Sequence, residues 1–271
     1  MRAVVQRPVW QHWGLLARWG VPVAVAALVG CTSTTTTTTS STSVPQTSVV
    51  GTAGTQVADA NRRAQIRLEL AANYFQAGRL DVAMDEVGQA LAAKPDYADA
   101  YGLLGLILMQ NQDWTQAEIA MRKAVDLNPR DGNQIHNYGW MQCQQKHFDV
   151  AQQWFDRALQ APGYREQPRT LLAKGMCYQQ AGQLEQAYQN MFRAYEMDVG
   201  NPAAGYNLAN VLWLKGDLKK AQFYIRRLNN NSNQASAESL WLGIKIDRAL
   251  HDDIGVRQQA DQLRERFPQS R

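Results

Sequence analysis

The side chains best suited to chemistry in this chain are its three cysteines and four histidines. Cys143 and His147 are four residues apart, a spacing that places both on one face of a helix and could suggest a metal pair. Two ligands make a poor zinc site without a third and a fourth. The sequence also has no Gly-rich phosphate loop, nucleophile elbow or HExxH motif. We therefore expect no enzymatic activity, no metal, no cofactor and no small-molecule substrate.

Cys31 follows a segment with the order of a secretory signal peptide. Residues 1–30 contain three arginines and no acidic residue, and they end in an uncharged apolar run from Gly20 to Gly30. This run is too short to span a bilayer, which needs about 20 residues. It ends in Leu-Val-Gly-Cys, which resembles the lipobox of bacterial lipoproteins. The alternative is an ordinary signal peptide with an incidental cysteine.

The lipobox resemblance implies that residues 1–30 are removed and that Cys31 becomes acylated at its thiol and its new amine. Several acyl chains anchor a protein far more firmly than one, because each buried methylene contributes about 0.8 kcal/mol. Thr32 rather than aspartate follows the cysteine. By the sorting preference of such lipoproteins, this residue implies an outer-membrane location.

Residues 31–58 are expected to form a lipidated, disordered tether. They contain the run Thr34–Thr39 and further serines and threonines, and no charged residue occurs from Gly20 to Ala58. Such a segment has too little bulky apolar surface to offset the entropy lost on ordering.

Small residues recur at almost constant spacing through residues 59–271. One series, separated by 34, 34, 36, 34 and 34 residues, consists of Ala71, Gly105, Gly139, Gly175, Ala209 and Gly243. A second series consists of Ala83, Ala117, Ala151, Ala187 and Ala221. Small residues at these places let two helices of one unit approach closely. A lone pair of helices buries too little apolar surface, so the units must stack.

This repeat resembles the tetratricopeptide repeat, a helix–turn–helix unit of 34 residues. Pro95 and Pro129 occupy the closing proline of that repeat, and Gly78, Gly182 and Gly216 occupy its turn. The resemblance implies an all-α fold, a right-handed α-solenoid of six repeats over residues 59–271. A generic helical bundle is the alternative. The sixth repeat has Gly255 where alanine is expected, as in a degenerate terminal repeat that acts as a cap.

The charge balance does not favour nucleic-acid binding. The formal net charge is +4, but without the arginines of residues 1–30 the basic excess falls to +1. The remaining basic residues are interspersed with acidic ones, so we expect no basic stripe for phosphates.

Cys143 and Cys177 lie at nearly equivalent positions on the first helices of repeats three and four. Once Cys31 is lipidated, two thiols remain in an oxidising compartment, and a disulfide is the economical pairing. The alternative is two buried, reduced thiols that act as small apolar side chains.

In the tetratricopeptide family the first helix of each repeat lines a concave groove that binds partners. The family geometry implies an apolar strip near the N-terminal end of this groove, formed by Leu68, Phe75, Leu103, Leu106 and Met109. Such a strip suits a helix or an extended peptide. The alternative is that these side chains pack between adjacent first helices.

The combination of lipobox, Ser/Thr-rich tether, six repeats and cysteine pair resembles the PilF/PilW family of type IV pilus biogenesis lipoproteins, or pilotins. The resemblance implies a lipid-anchored outer-membrane protein whose solenoid faces the periplasm. It also implies that the groove binds the secretin subunit and promotes secretin localisation or multimer assembly. One alternative is a general periplasmic scaffold for outer-membrane or cell-wall assembly. Another is a glycan-binding protein, suggested by Trp140, Trp213 and Trp241.

Overall fold

The computed structural model describes residues 53–270, which form helices and no strand. This part of the chain divides into two compact units, one ending at Lys94 and the other beginning at Pro95. Cys31, the signal peptide and most of the tether lie outside the described residues.

The first unit is a helical hairpin of α1 (Ala53–Gln76) and α2 (Leu80–Ala93). Its core is lined by alanines and a valine, with Ala64, Ala71, Ala83, Val87 and Ala90 fully buried. The predicted end of the tether at residue 58 is wrong, because α1 already begins at Ala53. The residues that follow Gly54 include no glycine or proline before Gly78, so α1 has no helix breaker until its C-terminal end.

The second unit contains five helix pairs. In chain order they are α3 (Ala98–Gln110) with α4 (Trp114–Leu127), α5 (Gly132–Gln144) with α6 (Phe148–Leu159), α7 (Gln167–Gln180) with α8 (Leu184–Met197), α9 (Pro202–Leu214) with α10 (Leu218–Asn229), and α11 (Ala237–Ala249) with α12 (Asp253–Arg266). Together with the α1–α2 hairpin, these pairs match the six predicted repeats. The all-α fold class is therefore confirmed.

The recurring small residues lie where the two helices of a pair meet. A Cβ atom added at Gly105 would overlap the Met121 side chain and lie 3.4 Å from the carbonyl oxygen of Ala117. At Gly175 it would lie 2.6 Å from Cγ of Met191, again beside an alanine of the second helix. The close approach predicted from the 34-residue spacing is confirmed at these pairs.

The turns within the pairs use a left-handed residue to end the first helix. Gly78, Gly182 and Gly216 have φ between +72° and +82°, as expected for this turn. In three other pairs the same place is taken by Gln112, Lys146 and His251, with φ of +63°, +64° and +56°. Glycine is therefore favoured at this turn but is not required, which explains why it marks only half of the repeats.

The first helices of the second unit lie on the inner side of its curvature. Each contacts the first helix of the following repeat, α3 with α5, α5 with α7, α7 with α9 and α9 with α11. The second helices of this unit make no such contacts with one another. We call the surface of α3, α5, α7, α9 and α11 the inner face, and that of α4, α6, α8, α10 and α12 the outer face.

The last repeat contains a buried carboxylate beside its apolar core. Asp247 is fully buried and accepts hydrogen bonds from Gln222 (2.7 Å), Arg226 (2.9 Å) and Gln259 (2.5 Å). A Cβ atom at Gly255 would come within 2.5 Å of this carboxylate. Glycine replaces the expected alanine of the sixth repeat because the ionic network occupies the space that a methyl group would need.

None of the helices in residues 53–270 combines the length and the apolar character needed to cross a membrane.

Candidate functional site

The inner face of the second unit begins with an apolar patch on α3. Leu103 and Leu106 are half-buried, so each keeps part of its side chain open to a partner. Leu106 also packs against the cluster that contains Met121, Tyr138 and Met141. Leu103 is not part of this cluster.

Met109 does not belong to an exposed strip. Its side chain is only 9% exposed and lies in the core cluster that α3 shares with α4 and α5. The prediction that Met109 lines the groove is wrong, because this position on α3 faces the junction of three helices. Met109 instead packs between adjacent repeats, which was the alternative interpretation.

Leu68 and Phe75, the other two predicted groove residues, lie on α1 of the first unit. Both are half-buried. The same helix exposes Ile66 (48%) and Leu70 (38%), which are four residues apart. The surface of α1 thus carries exposed apolar side chains. Ile66 and Leu70 are not among the groove positions that the repeat geometry implies.

On the inner face, helices α5 and α7 are joined by a covalent bond. Cys143 and Cys177 are joined by a disulfide, with their Cα atoms 5.8 Å apart, and both residues are fully buried. Arg169 of α7 donates a hydrogen bond to Oδ1 of Asn137 on α5 (2.9 Å). A disulfide closing a loop of this size contributes about 2–4 kcal/mol to stability. It lies at the repeat junction that carries the two extra residues.

A buried histidine lies at the same junction. Nδ1 of His136 is 2.9 Å from Oγ1 of Thr170, which is itself 2.6 Å from the hydroxyl oxygen of Tyr164. Burial, and secondly the positive charge of Arg169, lowers the pKa of His136 to about 3. The imidazole is therefore neutral at pH 7, and its hydrogen bond orders α5 against α7.

The middle of the inner face is polar and aromatic. Helices α5, α7 and α9 carry no acidic residue. Half-buried side chains on these helices include Trp140, Gln144, Met176, Gln179, Tyr206, Asn207 and Asn210. Amide groups can bind the backbone of an extended peptide, and aromatic rings can cover its apolar side chains.

The two C-terminal tryptophans differ in exposure. Trp213 of α9 is half-buried, with the ammonium of Lys245 on α11 at 4.7 Å from its ring centroid. Trp241, one helical turn before Lys245, is 52% exposed. The cation–π contact lies between neighbouring first helices and was not evident from sequence, because it pairs residues 32 positions apart.

The possible metal pair of Cys143 and His147 is not assembled. The thiol of Cys143 is used in the disulfide, and Nδ1 of His147 is 2.9 Å from Oε1 of Gln142. Within residues 53–270 no group of three His, Cys, Asp or Glu side chains is placed to hold a metal ion.

Comparisons with known proteins show similarity to tetratricopeptide repeat proteins, including one of type IV pilus assembly. Residues 57–132 match the tetratricopeptide repeat family model. The type IV pilus assembly protein PilF of Pseudomonas aeruginosa is 26% identical over 78% of this chain and 83% of its own length.

Solved structures of PilW and PilF share the fold of this chain. The crystal structure of PilW, a widely conserved type IV pilus biogenesis factor, is 26% identical with a TM-score of 0.69, covering 78% of this chain and 96% of that one. A structure of P. aeruginosa PilF has the same fold, with a TM-score of 0.66 at 23% identity over 78% of this chain and 95% of that one.

Proposed function

From the finding that this chain is a tetratricopeptide repeat protein homologous to PilF and PilW, we propose that it acts in type IV pilus biogenesis as a pilotin. In this role it binds the secretin subunit and promotes its localisation or multimer assembly at the outer membrane. The main support for this proposal is the similarity to PilF and PilW, which extends over about four-fifths of the chain.

The inner face of the second unit is the proposed secretin-binding surface. Leu103 and Leu106 give an apolar anchor, and the amides of α5, α7 and α9 give hydrogen-bonding groups for a peptide backbone. The disulfide and the His136–Thr170 contact keep this surface in one shape, so little conformational entropy is lost when a partner binds. Binding of this kind needs no catalytic group, in keeping with a stoichiometric role.

Membrane attachment is proposed through acylated Cys31. The support is the lipobox sequence at residues 28–31 and the uncharged segment that follows it. Anchoring a solenoid that binds secretin would bring the bound secretin to the membrane where its multimers assemble.

The inner-face proposal is tested with the full chain and detergent-solubilised secretin. We expect Leu103→Ser to reduce the secretin that co-purifies by about tenfold, since burying a leucine contributes about 1.5–3 kcal/mol. Ile119→Ser is the matched control, because Ile119 is 59% exposed on α4, the outer helix of the same repeat. Equal co-purification with both variants, at unchanged helical circular dichroism, would reject the inner face as the binding surface. Failure of the unmodified chain to bind secretin would instead favour a general periplasmic scaffold.

A further inference from the structure

The outer face contains one helix whose charges differ from those of its neighbours. The second helices α2, α4, α6, α8 and α12 each contain acidic residues, whereas α10 contains none between Leu218 and Asn229. The four cations of α10 are Lys219, Lys220, Arg226 and Arg227. The expectation of evenly interspersed charges therefore fails at this helix.

An exposed aromatic ring lies among these cations. Lys219, Phe223 and Arg227 are spaced four residues apart and so follow one face of α10. Phe223 is 59% exposed, the largest exposure of any aromatic side chain in the described part of the chain. We call these three residues the α10 stripe.

The cations of the stripe are available to a partner. Lys220 pairs with Asp217 at 2.7 Å, and Arg226 pairs with the buried Asp247 at 2.9 Å. Within residues 53–270, Lys219 and Arg227 form neither an ion pair nor a side-chain hydrogen bond. The unpaired charges are thus the two that flank Phe223.

The exposed ring is held in place by other rings. Phe223 meets the ring of Tyr224 edge-on, with centroids 5.1 Å apart, and Tyr224 meets Tyr195 of α8 in the same way at 5.2 Å. Tyr195 is only 8% exposed and belongs to the core cluster. A ring supported in this way loses little entropy when another surface covers it.

We propose that the α10 stripe docks onto the surface of an anionic phospholipid bilayer. Phe223 would enter the boundary between headgroups and acyl chains, where exposed aromatic side chains are favoured. Lys219 and Arg227 would lie against the lipid phosphates, with a contribution of about 1 kcal/mol each. The stripe belongs to the outer face, which suits a flat, extended, negatively charged partner better than a peptide that needs a groove. This site is separate from the inner face and does not depend on secretin binding.

Vesicle co-sedimentation tests the proposal. The chain that begins at residue 32, which lacks the signal peptide and the acylated cysteine, is mixed with phosphatidylcholine vesicles prepared with or without phosphatidylglycerol. We expect phosphatidylglycerol to strengthen binding, and Lys219→Gln with Arg227→Gln to weaken it by roughly 30-fold, the equivalent of two lost charges. Phe223→Ser should weaken binding by about tenfold.

Ile119→Ser is the matched control, because Ile119 has the same 59% exposure on an outer helix that carries both signs of charge. It should leave vesicle binding unchanged. The proposal is overturned if phosphatidylglycerol has no effect, or if Phe223→Ser and Ile119→Ser weaken binding equally. It is also overturned if the stripe variants change only self-association, measured by analytical ultracentrifugation, since the stripe would then bind a second copy of the chain. The assay contains no secretin, so its failure is distinct from failure of the proposed function.

Discussion

At the scale of single residues, buried polar groups set the shape of the inner face. His136 is 4% exposed and lies against Thr170 of the next repeat, at the junction of α5 and α7 that the disulfide of Cys143 and Cys177 also joins. A neutral imidazole fits this site, whereas a charged one would lose its hydration without gaining an acidic partner. The junction of repeats three and four should therefore be sensitive to acid.

The pH dependence follows from the pKa of His136. Its pKa is about 3 in the folded state and near 6.5 in an unfolded chain, so the unfolded state binds the proton more readily below pH 6.5. The contribution of neutral His136 to the free energy of unfolding is fully present above pH 6.5. It falls by up to about 1.4 kcal/mol per pH unit as the pH is lowered toward 3. We expect His136→Gln to reduce this loss between pH 7 and pH 5, measured by urea unfolding.

The control for this prediction is His251→Asn, which changes an exposed histidine at a left-handed turn that asparagine tolerates. It should retain the pH dependence of the parent chain. If the parent and His136→Gln lose stability equally between pH 7 and pH 5, the buried histidine does not cause the loss.

At the scale of helices, the sequence predicted pairing better than it predicted exposure. The spacing of Gly105 and Ala117 indicated where two helices meet, because steric contact between backbones depends mainly on side-chain size. The burial of Met109 could not be predicted in the same way, since it depends on how α5 packs across α3 and α4. The same holds for Gly255, whose small size is required by the buried carboxylate of Asp247.

A glycine substitution tests the close helix contact directly. Gly175→Ala should destabilise the protein by about 1–3 kcal/mol, because the added methyl group would press on Met191 and on the Ala187 carbonyl of α8. Gly205→Ala is the matched control, since its nearest new neighbour lies 3.8 Å away and alanine favours a helix. Thermal unfolding of both variants checks the prediction. Equal stability of the two would show that helix propensity outweighs the contact.

At the scale of the whole molecule, repeat pattern and residue chemistry carry different information. The 34-residue period predicted the helix pairs of the described residues, and the comparisons connect the chain to PilF and PilW. The period did not predict the cation–π contact of Lys245 with Trp213 or the charge of the α10 stripe. Such features depend on side chains that the repeat leaves free to vary, and we propose that these side chains recognise partners.

We propose above all that this protein promotes assembly of secretin multimers at the outer membrane. The most direct measurement is the amount and membrane location of secretin multimers in cells that contain the chain, lack it, or carry Cys31→Ala. We predict that multimers are lost on deletion and accumulate in the wrong membrane when the acylated cysteine is removed. Unchanged multimers in both strains would contradict the pilotin role.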